Sequence, residues 1–123
     1  MKHISIIIPR GHCSLPNIDG THQVFGEVNG FMKAMGREPL FKVQLVGLAP
    51  EGQRDGLYVI HPDVLISDIK KTDLIIIPAM HGDLQNALEM NQEFIPWVID
   101  QYRAGAELAS FCIGAFFRHQ RGC

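Results

Sequence analysis

Cysteine is scarce in this chain: Cys13, Cys112 and Cys123 are far apart, odd in number and form no C-x-x-C pair. Their sparseness argues against a disulfide framework and for a reducing compartment. Neither sign of charge dominates, since 11 basic and 13 acidic residues leave a formal net charge of -2 and the basic ones are scattered. Nucleic acid and anionic membrane surfaces are therefore not expected as direct partners of this chain. Long hydrophobic runs are missing too. The opening "MKHISIIIPRG" has a Lys and a His before a short apolar stretch, too brief for a signal segment or a membrane span. The expected location is the cytoplasm. No pair of histidines or cysteines has zinc-site spacing, so neither a metal nor a cofactor is expected. Internal repeats, linkers and low-complexity segments are absent as well.

What is present fits one domain of 123 residues, 46% hydrophobic, with enough apolar matter to bury a core. "HISIIIP" (3–9) is β-branched, almost continuously apolar and closed by Pro-Arg-Gly, the pattern of a strand buried on both faces of a parallel sheet. From Asn17 to Met35 the spacing of Ile18, Phe25, Val28, Met32 and Met35 predicts an amphipathic helix, its stripe widened by Val24 and Phe31 and stopped by Gly36 and Pro39. Gly26 and Gly30, four apart, predict close approach of that helix to the sheet. "FKVQLVGL" (41–48) alternates as a second strand, "APEGQRDG" reads as turns, and "LYVI" as a short strand.

"DLIIIPA" (73–79) repeats the character of the first strand and "AELASF" (106–111) adds another. Between them, "GDLQNALEM" predicts a short helix. "NQEFIPWVIDQYRAG" predicts a second, with Phe94, Trp97, Val98 and Tyr102 on one stripe, Pro96 in the first turn and Gly105 just past the end. Strands alternating with helices imply an α/β doubly wound, mostly parallel sheet with helices on both faces and ligands at the carboxyl ends of the strands. Three loops are expected there: "RGHCSLPN", "AMHGD" and the turn at Cys112.

In "ASFCIGAF" (109–116), Ser110 and Gly114 stand two before and two after Cys112. Small residues at those places are what a strand-to-helix nucleophile elbow needs, because its backbone folds tightly against its neighbours. A thiol so placed would sit at a helix N-terminus, where free N–H groups favour a thiolate and can bind an oxyanion. A lone cysteine in an apolar stretch also reads as a buried inert thiol. Nucleophilic catalysis needs a base within reach. Of His12, His22, His61, His81 and His119, the loop residues His12 and His81 are placed to approach, though surface loop histidines fit the same pattern. His61 before Pro62 reads as turn chemistry.

The stretch "IIIPAMHGDLQNALEMNQEFIPWVIDQYRAGAELASFCIGAF" resembles the amidase-like sensor domain of AraC-type transcriptional regulators, in the ThiJ/PfpI, class I glutamine amidotransferase-like superfamily. "SLPNIDGTHQVFGEVN" looks like that family's S-L-L-D-x-x-G-P-x-E-V-F. The combination of Asn91, Pro96, Trp97, Gly105 and C-x-G-A-F carries the likeness, which runs from His3 to Phe116. It implies a flavodoxin-like sandwich in which the cysteine elbow and the two loops surround a small-molecule pocket. The matching pocket residues are Cys112, Ile113, His12, Asn17, Met80, His81 and Gly82, with Ser110 and Gly114 as elbow backbone.

The chain departs from the family pattern at Asn17, Thr21 and Gln23, where Asp, Pro and Glu are usual, and at Ile113, where enzymatic relatives often carry His. These departures favour a non-catalytic sensor of a small effector over a cysteine-dependent amidase, peptidase-like hydrolase or glyoxalase-like enzyme. DNA would be bound through a helix-turn-helix domain absent from this chain. After "GAFF" the family continues with an apolar helix, whereas "RHQRGC" follows here. The expectation is residues 1–123 as a domain truncated after the cysteine-elbow helix, with exposed apolar surface driving homo-oligomer formation.

Overall fold

The computed structural model describes residues 1–11, 13–80 and 82–111. His12, His81, Cys112, Ile113, Gly114, His119 and Cys123 lie outside the described residues. In chain order the elements are β1 (Lys2–Ile7), α1 (Leu15–Ala34), β2 (Phe41–Gly47), β3 (Gln53–Asp55), β4 (Tyr58–Ile60), β5 (Val64–Leu65), a 3-10 turn (Ile66–Asp68), β6 (Leu74–Ile77), α2 (Leu84–Met90), α3 (Phe94–Arg103) and β7 (Glu107–Ser110).

β1 is the middle of a five-stranded sheet ordered β5-β2-β1-β6-β7. Every pairing in it is parallel, with Ile6 opposite Leu45 on one side and Ile76 on the other. Alternation along β1 divides the interior, because successive side chains leave opposite faces. Ile4, Ile6 and Ile8 meet Ile18 of α1, with Cys13, Ile60 and Ile76. Ile7 and Ile75 meet Phe94, with Trp97 and Val98 of α3 packed alongside. Each fully buried isoleucine contributes on the order of 1.5–3 kcal/mol, so the strand's run of them explains why it takes the centre. The doubly wound, mostly parallel sandwich expected from the sequence is the fold observed.

α1 starts at Ser14, whose Oγ accepts from the Asn17 N–H at 3.3 Å, and it ends in a Schellman turn. There Gly36, at φ 73°, lets its N–H reach Lys33 O while Arg37 N–H reaches Met32 O. The helix is narrower in its apolar contact than its sequence predicts. Val24, Phe31 and Met35 are 59%, 65% and 47% exposed; at about 100° per residue Val24 and Phe31 lie some 120° or more round from Ile18, off the sheet. Gly26 and Gly30 also face open space, with no atom within 4 Å of a Cβ built on either. Their spacing therefore marks no close approach. The stretch expected to be turns supplies β3, which pairs antiparallel with β4 as a separate hairpin.

Tyr102 is likewise 61% exposed, and Gln101 takes the inward place predicted for it. The reason is a polar seam beneath α3. Gln101 Oε1 accepts from the Thr72 N–H at 2.9 Å and its Nε2 donates to Lys70 O at 3.1 Å. Buried Thr72 and Ser5 continue the seam, Ser5 Oγ donating to Thr72 Oγ1 at 2.8 Å. His3 closes it, with Nδ1 at 2.7 Å from Thr72 Oγ1 and Nε2 at 2.6 Å from Gln44 Oε1. A buried amide in such a place is stable only because both of its ends are satisfied.

Two outcomes follow from this end of the sheet. Gln101→Leu strands the Thr72 N–H and the Lys70 carbonyl, so a urea melt should find the variant less stable by about 1–3 kcal/mol. Asp73 is held below the usual carboxylate range chiefly by the His3 N–H, which donates to Oδ2 at 2.8 Å, with Lys2 and Lys71 adding to it. Because its folded pKa lies below the unfolded one, its stabilisation is present above the ordinary carboxylate range and is lost as pH falls through the folded value. Asp73→Asn should thus be less stable than wild type at neutral pH, and the two melts should converge on acidification.

Candidate functional site

β1 is paired with β2 on one side and β6 on the other, and chain leaving β1 returns through α1 to β2. Such a reversal opens a crevice at the carboxyl ends of β1 and β6. Two loops border it, one after β1 (8–14) and one after β6 (78–83). Irregular backbone over a sheet edge must find hydrogen-bond partners outside regular structure. Here side-chain amides provide them.

Asn91, at the end of α2 and 8% exposed, makes two of these bonds and a third to its own helix. Its Oδ1 accepts from the Arg10 N–H at 2.7 Å, and its Nδ2 donates to Arg10 O at 3.0 Å and to Ala87 O at 2.8 Å. From the other side Gln53 Nε2 donates to Pro9 O at 2.8 Å and Gly11 O at 3.1 Å. Gly11, at φ 87°, turns the loop back between them. The Arg10–Glu93 ion pair at 3.0 Å joins exposed side chains and adds little.

The two loops are also joined directly. Cys13, buried in the core, forms an antiparallel bridge with Met80. Ser14 N–H donates to Ala79 O at 2.7 Å, and Ala79 N–H donates to Asn17 Oδ1 at 3.0 Å. Asn17 is thus a positioning group: in the first turn of α1, it anchors the loop after β6. Gly82 follows at φ 86°, and Asp83 caps α2 by accepting from the Gln85 N–H.

Of the residues singled out from sequence, Asn17 and Met80 come together at this junction, and Gly82 lies two residues beyond Met80 in the same loop. Ser110 ends β7, where it pairs with Ile77, and the Phe111 N–H still donates to Ile77 O at 3.0 Å. The strand pairing therefore carries the chain to the carboxyl edge beside the loop after β6. His12, His81, Cys112, Ile113 and Gly114 are outside the described residues, so the elbow is not among the features described. Gln53 was missed as a site-building residue, since nothing in "EGQRDG" distinguishes it. Ser14 carried a signal, standing before Leu-Pro as an N-cap does. Among the described residues no group of three His, Cys, Asp or Glu could hold a metal ion.

No protein-family model and no curated protein matches the chain. Among solved structures it is similar to a candidate transcriptional regulator of Vibrio parahaemolyticus, at TM-score 0.73 and 16% identity over 94% of this chain and 58% of that one. A ThiJ/PfpI family protein of Pseudomonas syringae aligns at TM-score 0.70 and 17% identity, over 95% of this chain and 44% of that one. A DJ-1 superfamily protein of Salmonella typhimurium aligns at TM-score 0.56 and 16% identity, over 89% and 55%. The chain spans about half the length of these proteins. At such identities the likeness is one of fold, and the fold is that of ThiJ/PfpI and DJ-1 superfamily proteins.

Asn91→Ala removes the clamp on Arg10 and leaves buried backbone groups unpaired, at a cost of about 1–3 kcal/mol. Hydrogen exchange should show Arg10 and its neighbours losing protection while the amides of β2 keep theirs.

Proposed function

We propose that residues 1–123 are the small-molecule-sensing domain of an AraC-type transcriptional regulator, non-catalytic, with its effector pocket at the carboxyl ends of β1, β6 and β7. Cys112, Ile113, His12, Asn17, Met80, His81 and Gly82 line that pocket in this reading, and Ser110 and Gly114 form the elbow backbone. The observation that carries it is the bond from Ala79 N–H to Asn17 Oδ1. Where the resembling family has an acid, this chain has an amide engaged in anchoring the loop after β6 to the first turn of α1. An amide cannot act as a proton donor to a leaving group, a role worth about a hundredfold to ten-thousandfold in rate. The fold shared with a candidate regulator supports the same reading.

DNA contact belongs, in this proposal, to a separate helix-turn-helix domain. No described helix is long and apolar enough to cross a membrane, and the reading is of a cytoplasmic homo-oligomer. Exposed Val24 and Phe31 on α1 and Leu108 on β7 supply apolar surface for self-association.

A cysteine-dependent hydrolase or glyoxalase-like enzyme is the second reading, favoured by one observation. β7 stays paired with β6 to Phe111, and this reading supposes that Cys112, next in sequence, forms a nucleophile elbow after the strand. The protein and its Cys112→Ala variant, compared against activated esters, amides and dicarbonyls, should both lack multiple turnover, with alkylation of the thiol as the only difference. Turnover lost in the variant would put the enzyme reading first.

A further inference from the structure

A cleft of about 540 Å³ lies between the first turns of α1 and the β3–β4 hairpin. Its volume is in the range of small-molecule sites. Ile18, Leu45 and Ile60 form the floor, and Ile18 and Ile60 are core residues. Asp19 and His22 stand on the α1 side, Tyr58 and His61 on the hairpin side.

Two of these polar groups are held in place. Gln23 Nε2 donates to Asp19 Oδ2 at 3.0 Å. The His61 ring lies so close over Gly52 that a Cβ there would stand 2.5 Å from its Cε1, so Gly52 leaves the space the ring occupies. The charge is one-sided: among the described residues Asp19 is the single carboxylate lining the cleft, and no Lys or Arg lines it. The start of α1 has few donors to offer an anion, because Pro16 has no N–H and the Asn17 N–H is taken by Ser14 Oγ.

We infer that this cleft is a second ligand site, separate from the carboxyl-end crevice, and that it takes a primary amine on an apolar, preferably aromatic, body. The ammonium group lies by Asp19 and the face of Tyr58, where carboxylate and ring both attract a cation. His22 and His61 accept its remaining hydrogens, and the apolar body covers Ile18, Leu45 and Ile60. The hairpin links this site to the crevice. Ile60 pairs with Gln53, whose amide holds Pro9 and Gly11, so occupancy of one site bears on the loop of the other.

The test is an amide chemical-shift titration of the whole chain with phenethylamine, phenylacetate and benzyl alcohol. Phenethylamine should saturate shifts at Asp19, His22 and His61 and bind more tightly than the other two. Asp19→Asn should weaken the amine about threefold to fivefold, the size of one exposed ion contact, while leaving benzyl alcohol unchanged. Val59→Trp, an exposed lining position, should block all three probes and leave the amides of β1 and β6 in place. Phenylacetate binding as tightly as the amine, amine binding that ignores both substitutions, or no saturable shift at these residues would each overturn the inference.

Discussion

Beyond Ile8, whose N–H still donates to Val46 O of β2, the loop after β1 leaves regular pairing, yet it must stand fixed over the edge of the sheet for a crevice to exist there. Side-chain amides solve that problem. Asn91 grips Arg10 from the α2 side, Gln53 grips Pro9 and Gly11 from the hairpin side, and Asn17 takes the Ala79 N–H of the facing loop. An amide suits this work because it carries a donor and an acceptor on one rigid plane and matches a peptide group. Each of the three comes from a different element, so the positions of the two loops together report the packing of α1, α2 and the hairpin.

The sheet is polar-seamed at its other end. Ser5, Thr72 and Gln101 are buried there and His3 partly so, every one hydrogen-bonded. Between that seam and the crevice the strands are almost wholly isoleucine, leucine and valine. Such a division lets the apolar middle hold β1, β2 and β6 together while polar groups set the register at the ends. Register matters here, since a shift of one residue on β1 would exchange the faces of Ile6 and Ile7 and disrupt both cores.

For function, three side-chain amides are committed to fixing the loops. Asn17, Asn91 and Gln53 hold, and each uses its polar atoms on backbone. In the sensing role proposed for this chain, such a framework serves because an effector can act only by favouring one loop arrangement over another. The cleft on the hairpin side shares Gln53's strand pairing with the crevice, and thus the two places are joined through a single hairpin.

Composition and periodicity determined the parallel doubly wound sheet, the burial of "HISIII" on both faces, the limits of α1 to within a few residues and the turn at Gly105. These are local or nearly local matters: β-branched runs, a 3.6-residue repeat and chain-stopping residues act within one element. Only the tertiary structure decided which side of α1 is covered, because a 20-residue helix over strands of four to seven residues cannot bury all of its apolar positions. It also decided that Gln101 points inward and Tyr102 outward, since the unsatisfied groups at Lys70 and Thr72 are 31 and 29 residues away in sequence. Asn91 stood in the stretch that carries the family resemblance, but its task was not legible: its partner Arg10 is 81 residues distant. A hydrogen bond of that span leaves no periodicity in the chain, and folding alone brings its ends together.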